Sequence, residues 1–383
     1  MLGFSLFFLT LAAINPLWGT SYNTAYYWLV EAIFLTWVTL SLLYRFRVTH
    51  SVLLLAMSLL GFSLVGQLQS DYIQYKNLFF IVQYSFMPIG MLLAAHRLVV
   101  RGVRGIQCLF FVVIVLNAVL YLRGNHEGDF AGSYTTGSQL GAIASLFAVF
   151  FFVRWAYSRG SFWDGILFVL GAVLLWFSEH RAGLLALLTA IYVAWLQKAW
   201  MLNGLRAALV LTATIIFSFC IAVAFTILFR EQIFFNGVIG LETIRSAGRF
   251  TVWPDLALNF ASGSQISWFF GQGLGSASLI IESNHAGTLD QIALPHNEYL
   301  RLLLDTGFFG LLAYLVTMAK VALIKPGVAS TVSRSVYAWP LFTHVIIEMC
   351  FSNVLNWTAS YVLIAAILAK SSAHTDTQSR VMR

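Results

Sequence analysis

The chain has 383 residues, of which 60% are hydrophobic, 16% aromatic and only 10% charged, with a mean hydropathy of +0.82. Soluble domains carry about 25% charged residues, so this chain lacks the polar surface to enclose a water-facing globule, and nuclear, DNA-binding and secreted disulfide-scaffold readings are excluded. The formal charge of +7 therefore calls for a membrane explanation before a nucleic-acid one, and no nucleic-acid partner is expected.

Apolar runs long enough to cross a hydrocarbon layer predict about twelve helices. They begin near Leu2, Thr24, Ser51, Leu78, Ile106, Gly137, Asp164, Gly183, Ala207, Gly307, Pro340 and Thr358. The runs are continuous and do not alternate with period two, which predicts an all-α polytopic membrane protein and not a barrel. The first run lacks a basic leader and a small-x-small cleavage pattern, so it is read as a retained helix. Only the polar element Glu179-His180-Arg181 separates the seventh helix from the eighth.

Charge gives the orientation. Of the 22 basic residues, the even-numbered connections, the adjoining helix ends and the C-terminal tail hold 15, including Arg45, Arg97, Arg154, Lys198, Lys320 and Arg334. Most acids fall on the opposite side. This asymmetry places both termini in the cytoplasm and accounts for the basic balance. Residues 1–229 then form helices one to nine, 230–298 a large outer (periplasmic) loop, 299–370 helices ten to twelve, and 371–383 a cytoplasmic tail. Cys108, Cys220 and Cys350 lie apart in apolar stretches. They are read as inert core thiols, and no metal site or cofactor is expected. Glu31, Glu348 and His344 fall inside apolar runs, where an ionisable group either serves function or pairs with a buried polar partner.

The outer loop carries most of the chemistry. Loops of this length without structure of their own are uncommon, and two pieces read as helical, from Thr243 to Phe260 and from His296 towards the tenth helix. Arg249 lies in Gly248-Arg249-Phe250-Thr251-Val252-Trp253, and Arg245 is one helical turn earlier. Arg181 stands between the seventh and eighth helices on the same side. A guanidinium is a permanently charged planar fork suited to phosphate; otherwise it is a solvated charge or, for Arg181, a partner of Glu179. His296, at a helix start on the outer surface, can accept a proton from a sugar hydroxyl, or simply mark the helix boundary. Gly271-Gln272-Gly273-Leu274-Gly275 follows no strand and opens no βαβ unit. It is read as a tight turn or a close backbone approach to a ligand, not as a dinucleotide loop.

These elements together resemble the O-antigen ligase and O-antigen polymerase family of bacterial membrane glycosyltransferases. The resemblance rests on His296-Asn297, nine residues, Gly307, two residues and Gly310. It rests also on Gly248-Arg249 to Trp253, on Gly271 to Gly275, and on Arg181 after a polar turn, with His180 where the family usually has serine. It implies a GT-C-like fold and a metal-independent, inverting transfer of glycan from a polyprenyl (undecaprenyl) diphosphate carrier in the bacterial inner membrane. It further implies that Arg181 and Arg249 hold the diphosphate and that His296 acts as general base or diphosphate ligand. Arg245, Asn297, Glu298, Gly273 and Gly275 would assist substrate binding.

The acceptor is a saccharide hydroxyl for a repeat-unit polymerase, the favoured reading, or lipid A–core for a ligase. Membrane lipid and other polysaccharide-assembly proteins are the remaining expected partners. A lipid-linked glycan transporter is the more remote alternative. It predicts repeated half-domains and charges lining the membrane interior, whereas the ionisable residues here gather at the outer surface.

Overall fold

The computed structural model describes helical residues within 57–68, residue 213, and residues 103–122, 137–157, 161–200, 248–285, 296–323 and 331–351. Glu31, Arg245, Cys220 and the tail lie outside these, as do most of helices one to four, nine and twelve. The described residues are all-helical, with no strand among them. In chain order the helices are α1 (Val103–Leu122), α2 (Gly137–Tyr157), α3 (Phe162–Phe177) and α4 (Arg181–Trp200), then α5 (Gly248–Ser262), α6 (Gln265–Phe270), α7 (Ser276–His285), α8 (Glu298–Leu323) and α9 (Thr331–Phe351).

Two helices form the core. In α9 every residue from 337 to 350 is buried, and in α2 every residue from 140 to 151. A helix that is apolar all round belongs inside other helices. α9 packs against α4, α2 and α8, and α2 also packs against α3 and α4. Phe110 of α1 stacks on Phe147 of α2 with centroids 4.6 Å apart. Gly171 of α3 meets the Ala144 carbonyl and the Phe110 ring, each 3.2 Å from where a Cβ would stand, which lets α3 lie close to α2.

The outward faces are apolar too. Phe111, Val115 and Val119 of α1, Val169 and Val173 of α3, and Leu184, Leu185 and Leu188 of α4 are exposed. A face of this kind suits lipid and is an aggregation liability in water. Exposed Trp155, Trp163 and Trp195 sit towards one end of the bundle and Trp176 towards the other, as expected of residues at the two interfaces of a bilayer. Among the described residues, two helices, Leu140–Tyr157 and Glu298–Lys320, are long and apolar enough to cross a membrane.

Several boundaries differ from expectation. The eleventh helix starts not at Pro340 but at Thr331, with Pro340 inside it. The polar stretch Thr331 to Ser335 hides the first turns from a hydropathy reading, and close packing on all sides tolerates the missing N–H. The tenth does not start at Gly307: α8 begins at Glu298, and Gly307 is a break within it (φ 70°, ψ −174°). The outer-loop helix expected over 243–260 is described over Gly248–Ser262 and ends two residues later than expected, while 243–247 lie outside the described residues. The short helices α6 and α7 were not expected. Cys350 is buried, but Cys108, read as a core thiol, is exposed, because it lies on the outward face of α1.

Candidate functional site

The turn between α3 and α4 is built tightly. Ser178 Oγ donates to the Leu175 carbonyl at 2.7 Å, and Glu179 adopts left-handed backbone (φ 53°). That conformation is unusual outside glycine, and such residues concentrate at functional sites. It sends Glu179 outward and His180 inward. His180 is buried, and its Nε2 lies 3.0 and 3.1 Å from the two carboxylate oxygens of Glu348 on α9. Two glycines make the room. A Cβ on Gly141 of α2 would stand 2.3 Å from His180 Cβ, and one on Gly183 would stand 2.7 Å from His180 Cδ2 and 3.2 Å from Glu348 Oε1. The next residue, Arg181, opens α4 with its side chain exposed, and no ion pair joins it to Glu179 among the described residues.

The start of α8 repeats the pattern. His296 is half-buried and is the other non-glycine residue with left-handed backbone among those described (φ 50°). Asn297 is the N-cap: its Oδ1 accepts the Leu300 N–H at 3.1 Å. This satisfies one of the donors a helix start leaves open. Glu298 is fully buried, with a carboxylate oxygen 3.5 Å from a terminal guanidinium nitrogen of the equally buried Arg301. The Tyr299 hydroxyl donates to the Ile346 carbonyl of α9 at 3.0 Å. The nine residues between Asn297 and Gly307 are the whole first segment of α8, about 14 Å of helix. The spacing in the motif is thus the distance from a capped N-terminus to a break.

The glycine cluster explains the break. Gly271, Gly273 and Gly275 all have positive φ, at 87°, 112° and 84°. A Cβ on Gly271 would stand 2.5 Å from the Asp305 carbonyl oxygen, and one on Gly307 would stand 2.4 Å from backbone atoms of Phe269 and 2.5 Å from Gly271 N. Backbone crosses backbone here, which only glycine allows. The Gln272 N–H donates to the Leu304 carbonyl at 2.7 Å. Asp305 then fastens the next helix, accepting from Ser276 Oγ at 3.0 Å and from the Ala277 N–H at 3.3 Å. Gly273 and Gly275 are accordingly buried turn residues against α8. The close approach is to the chain's own backbone.

The separate motifs meet at one place, the C-terminal end of α9. Glu348 holds the residue before Arg181, the Ile346 carbonyl holds Tyr299, and Phe351 packs against Trp253 of α5 and, with it, Leu300 of α8. Arg249 is the second residue of α5, one helical turn before Trp253. Three helix N-termini therefore come together at the end of the bundle predicted to face outward. Arg181 opens the first, Arg249 stands at the second, and His296 precedes the cap of the third. Helix N-termini and guanidinium groups both favour a bound anion.

Asn297 and Glu298 lie at this place as a cap and as a buried carboxylate, with no exposed surface of consequence. Sequence reasoning missed His180, Tyr299 and Asp305 as the groups that tie the elements together. A histidine displacing the small residue usual before the arginine, together with an acid in the apolar run of α9, was the available signal for the first. Among the described residues no group of three or more His, Cys, Asp or Glu could hold a metal ion.

No curated protein matches the chain. The family model described as O-antigen ligase matches residues 166–315. The matched segment runs from α3 into α8 and takes in Arg181, Arg249, the glycine cluster, His296, Gly307 and Gly310, in the order that the motifs predict. Over that segment the chain is similar to the O-antigen ligase family.

Proposed function

We propose that the protein transfers a glycan from a polyprenyl diphosphate carrier to a saccharide hydroxyl on the periplasmic side of the inner membrane, as a repeat-unit polymerase. The observation that carries this reading is the convergence of the helix N-termini bearing Arg181, Arg249 and His296 on the C-terminal end of α9. The acceptor oxygen attacks the anomeric carbon and forms the new C–O bond. The bond from that carbon to the diphosphate oxygen breaks, and its electron pair leaves with the diphosphate. Direct attack of this kind inverts the anomeric centre. The guanidinium groups of Arg181 and Arg249 neutralise the charge the diphosphate gains. His296 takes the acceptor proton. With a leaving group already activated, the protein supplies position and charge, so the transfer proceeds without a metal.

The ligase reading shares this chemistry and differs in acceptor. Purified protein in detergent, given polyprenyl diphosphate-linked repeat units with and without lipid A–core and with EDTA throughout, separates them. Longer lipid-linked products without lipid A–core establish the polymerase. Product confined to lipid A–core establishes the ligase, and absence of both overturns the transferase reading.

A further inference from the structure

We infer that the buried His180–Glu348 pair is a positioning device for Arg181, so that Glu348 of α9, beyond the family-matched segment, sets the affinity of the site for the donor's diphosphate. The inference rests on the transferase reading of the site and adds a residue to it.

The argument starts from the turn. Left-handed backbone is strained at a residue other than glycine, as at Glu179, and persists only where its surroundings hold it. What holds it is His180. The imidazole is clamped between Gly141 and Gly183 and reaches both oxygens of Glu348. The exposed guanidinium of Arg181 begins one residue later, in the first turn of α4, so its direction follows from the direction of His180. Glu348 belongs to the same stretch of α9 whose Ile346 carbonyl accepts from Tyr299, three residues after His296. One turn of α9 therefore fixes both the phosphate-binding arginine and the segment carrying the proposed base. His344, one helical turn below Glu348, bonds Ser145 Oγ of α2 at 2.8 Å and holds that face of α9 against α2.

A positioning role and a plain packing role differ in one respect. If the pair acts through Arg181, its loss matters only while Arg181 is present. The test uses the full-length protein in detergent and undecaprenyl diphosphate as probe, with binding read from the ligand-induced shift in thermal unfolding. Arg181→Ala, Glu348→Gln, His180→Ala and the double variant Arg181→Ala/Glu348→Gln are compared. Glu348→Gln keeps an acceptor and the side-chain volume, so it serves where His180→Ala fails to fold. The expected result is a loss of roughly tenfold in affinity for Glu348→Gln, a larger loss for Arg181→Ala, and a double variant no weaker than Arg181→Ala alone. Wild-type affinity in Glu348→Gln, or losses that simply multiply in the double variant, overturns the inference. Full affinity in Arg181→Ala instead overturns the assignment of Arg181 to the diphosphate, and with it the transferase site on which the inference rests.

Discussion

The two ends of the helical bundle use buried charge in opposite ways. At the end predicted to face the cytoplasm, Asp164 of α3 is fully buried and meets Arg154 Nε of α2 at 3.2 Å and Gln107 Nε2 of α1 at 2.7 Å. The Arg154 guanidinium also lies over the Phe150 ring, 5.9 Å from its centroid. Lys198 of α4 donates to the Ala156 carbonyl at 3.3 Å, and the Tyr157 hydroxyl donates to the Ala194 carbonyl. Arg154 and Lys198 there are turned back onto the protein and clamp neighbouring helices. At the outer end the buried groups are chiefly carboxylates, Glu298, Asp305 and Glu348, and each fixes a turn or a helix start. Arg181 at that end is exposed, and the backbone there adopts left-handed geometry at Glu179 and His296. On the proposed reading, satisfied charge makes a scaffold, whereas charge held forward beside buried acids makes a site for an anion.

Substitutions can break this contrast. Arg249→Ala and His296→Ala are expected to lower glycan transfer at least a hundredfold, the usual scale for losing a group that stabilises charge in the transition state. Thermal unfolding of the purified variants should stay near wild type, and a matched fall in folded protein would show that these residues belong to the scaffold. Gly307→Val should act on the fold itself. Its Cβ would meet Phe269 backbone at 2.4 Å, so little correctly assembled protein is expected by size-exclusion chromatography in detergent, while normal yield and activity would refute the crossing of the two segments. At the inner end, Asp164→Ala leaves Arg154 facing a lost partner in a buried place and should cost about 3–5 kcal/mol of stability. Specific transfer by the folded fraction should be unchanged. Asn297→Ala removes one N-cap bond and should cost about 1 kcal/mol, with a modest drop in transfer because the preceding residue is His296.

Much of this was legible in the sequence, for identifiable reasons. The turn Glu179-His180-Arg181 stands out because three polar residues interrupt two apolar runs, and the order Arg181, Arg249, glycine cluster, His296 is explicit. What stayed hidden depends on contacts between distant segments. His180 and Glu348 are 168 positions apart, and no local pattern pairs them. Gly307 looked like the start of a helix because apolar residues follow it, although its real constraint is the Gly271 backbone lying against it. The helices α6 and α7 are too short to show a period. Pro340 suggested a boundary by a rule that holds for solvent-exposed helices better than for one packed on every side.

The central claim is that Arg181, Arg249 and His296 serve one transfer site at the end of α9. The most direct measurement is glycan transfer from polyprenyl diphosphate-linked repeat units by the wild type and by the alanine variants at these residues, each checked for folding, beside Asp164→Asn as the inner-end control. The account predicts that the variants at the outer end each lose transfer while remaining folded and that the control keeps it. Full transfer by any folded variant of Arg181, Arg249 or His296 would contradict it.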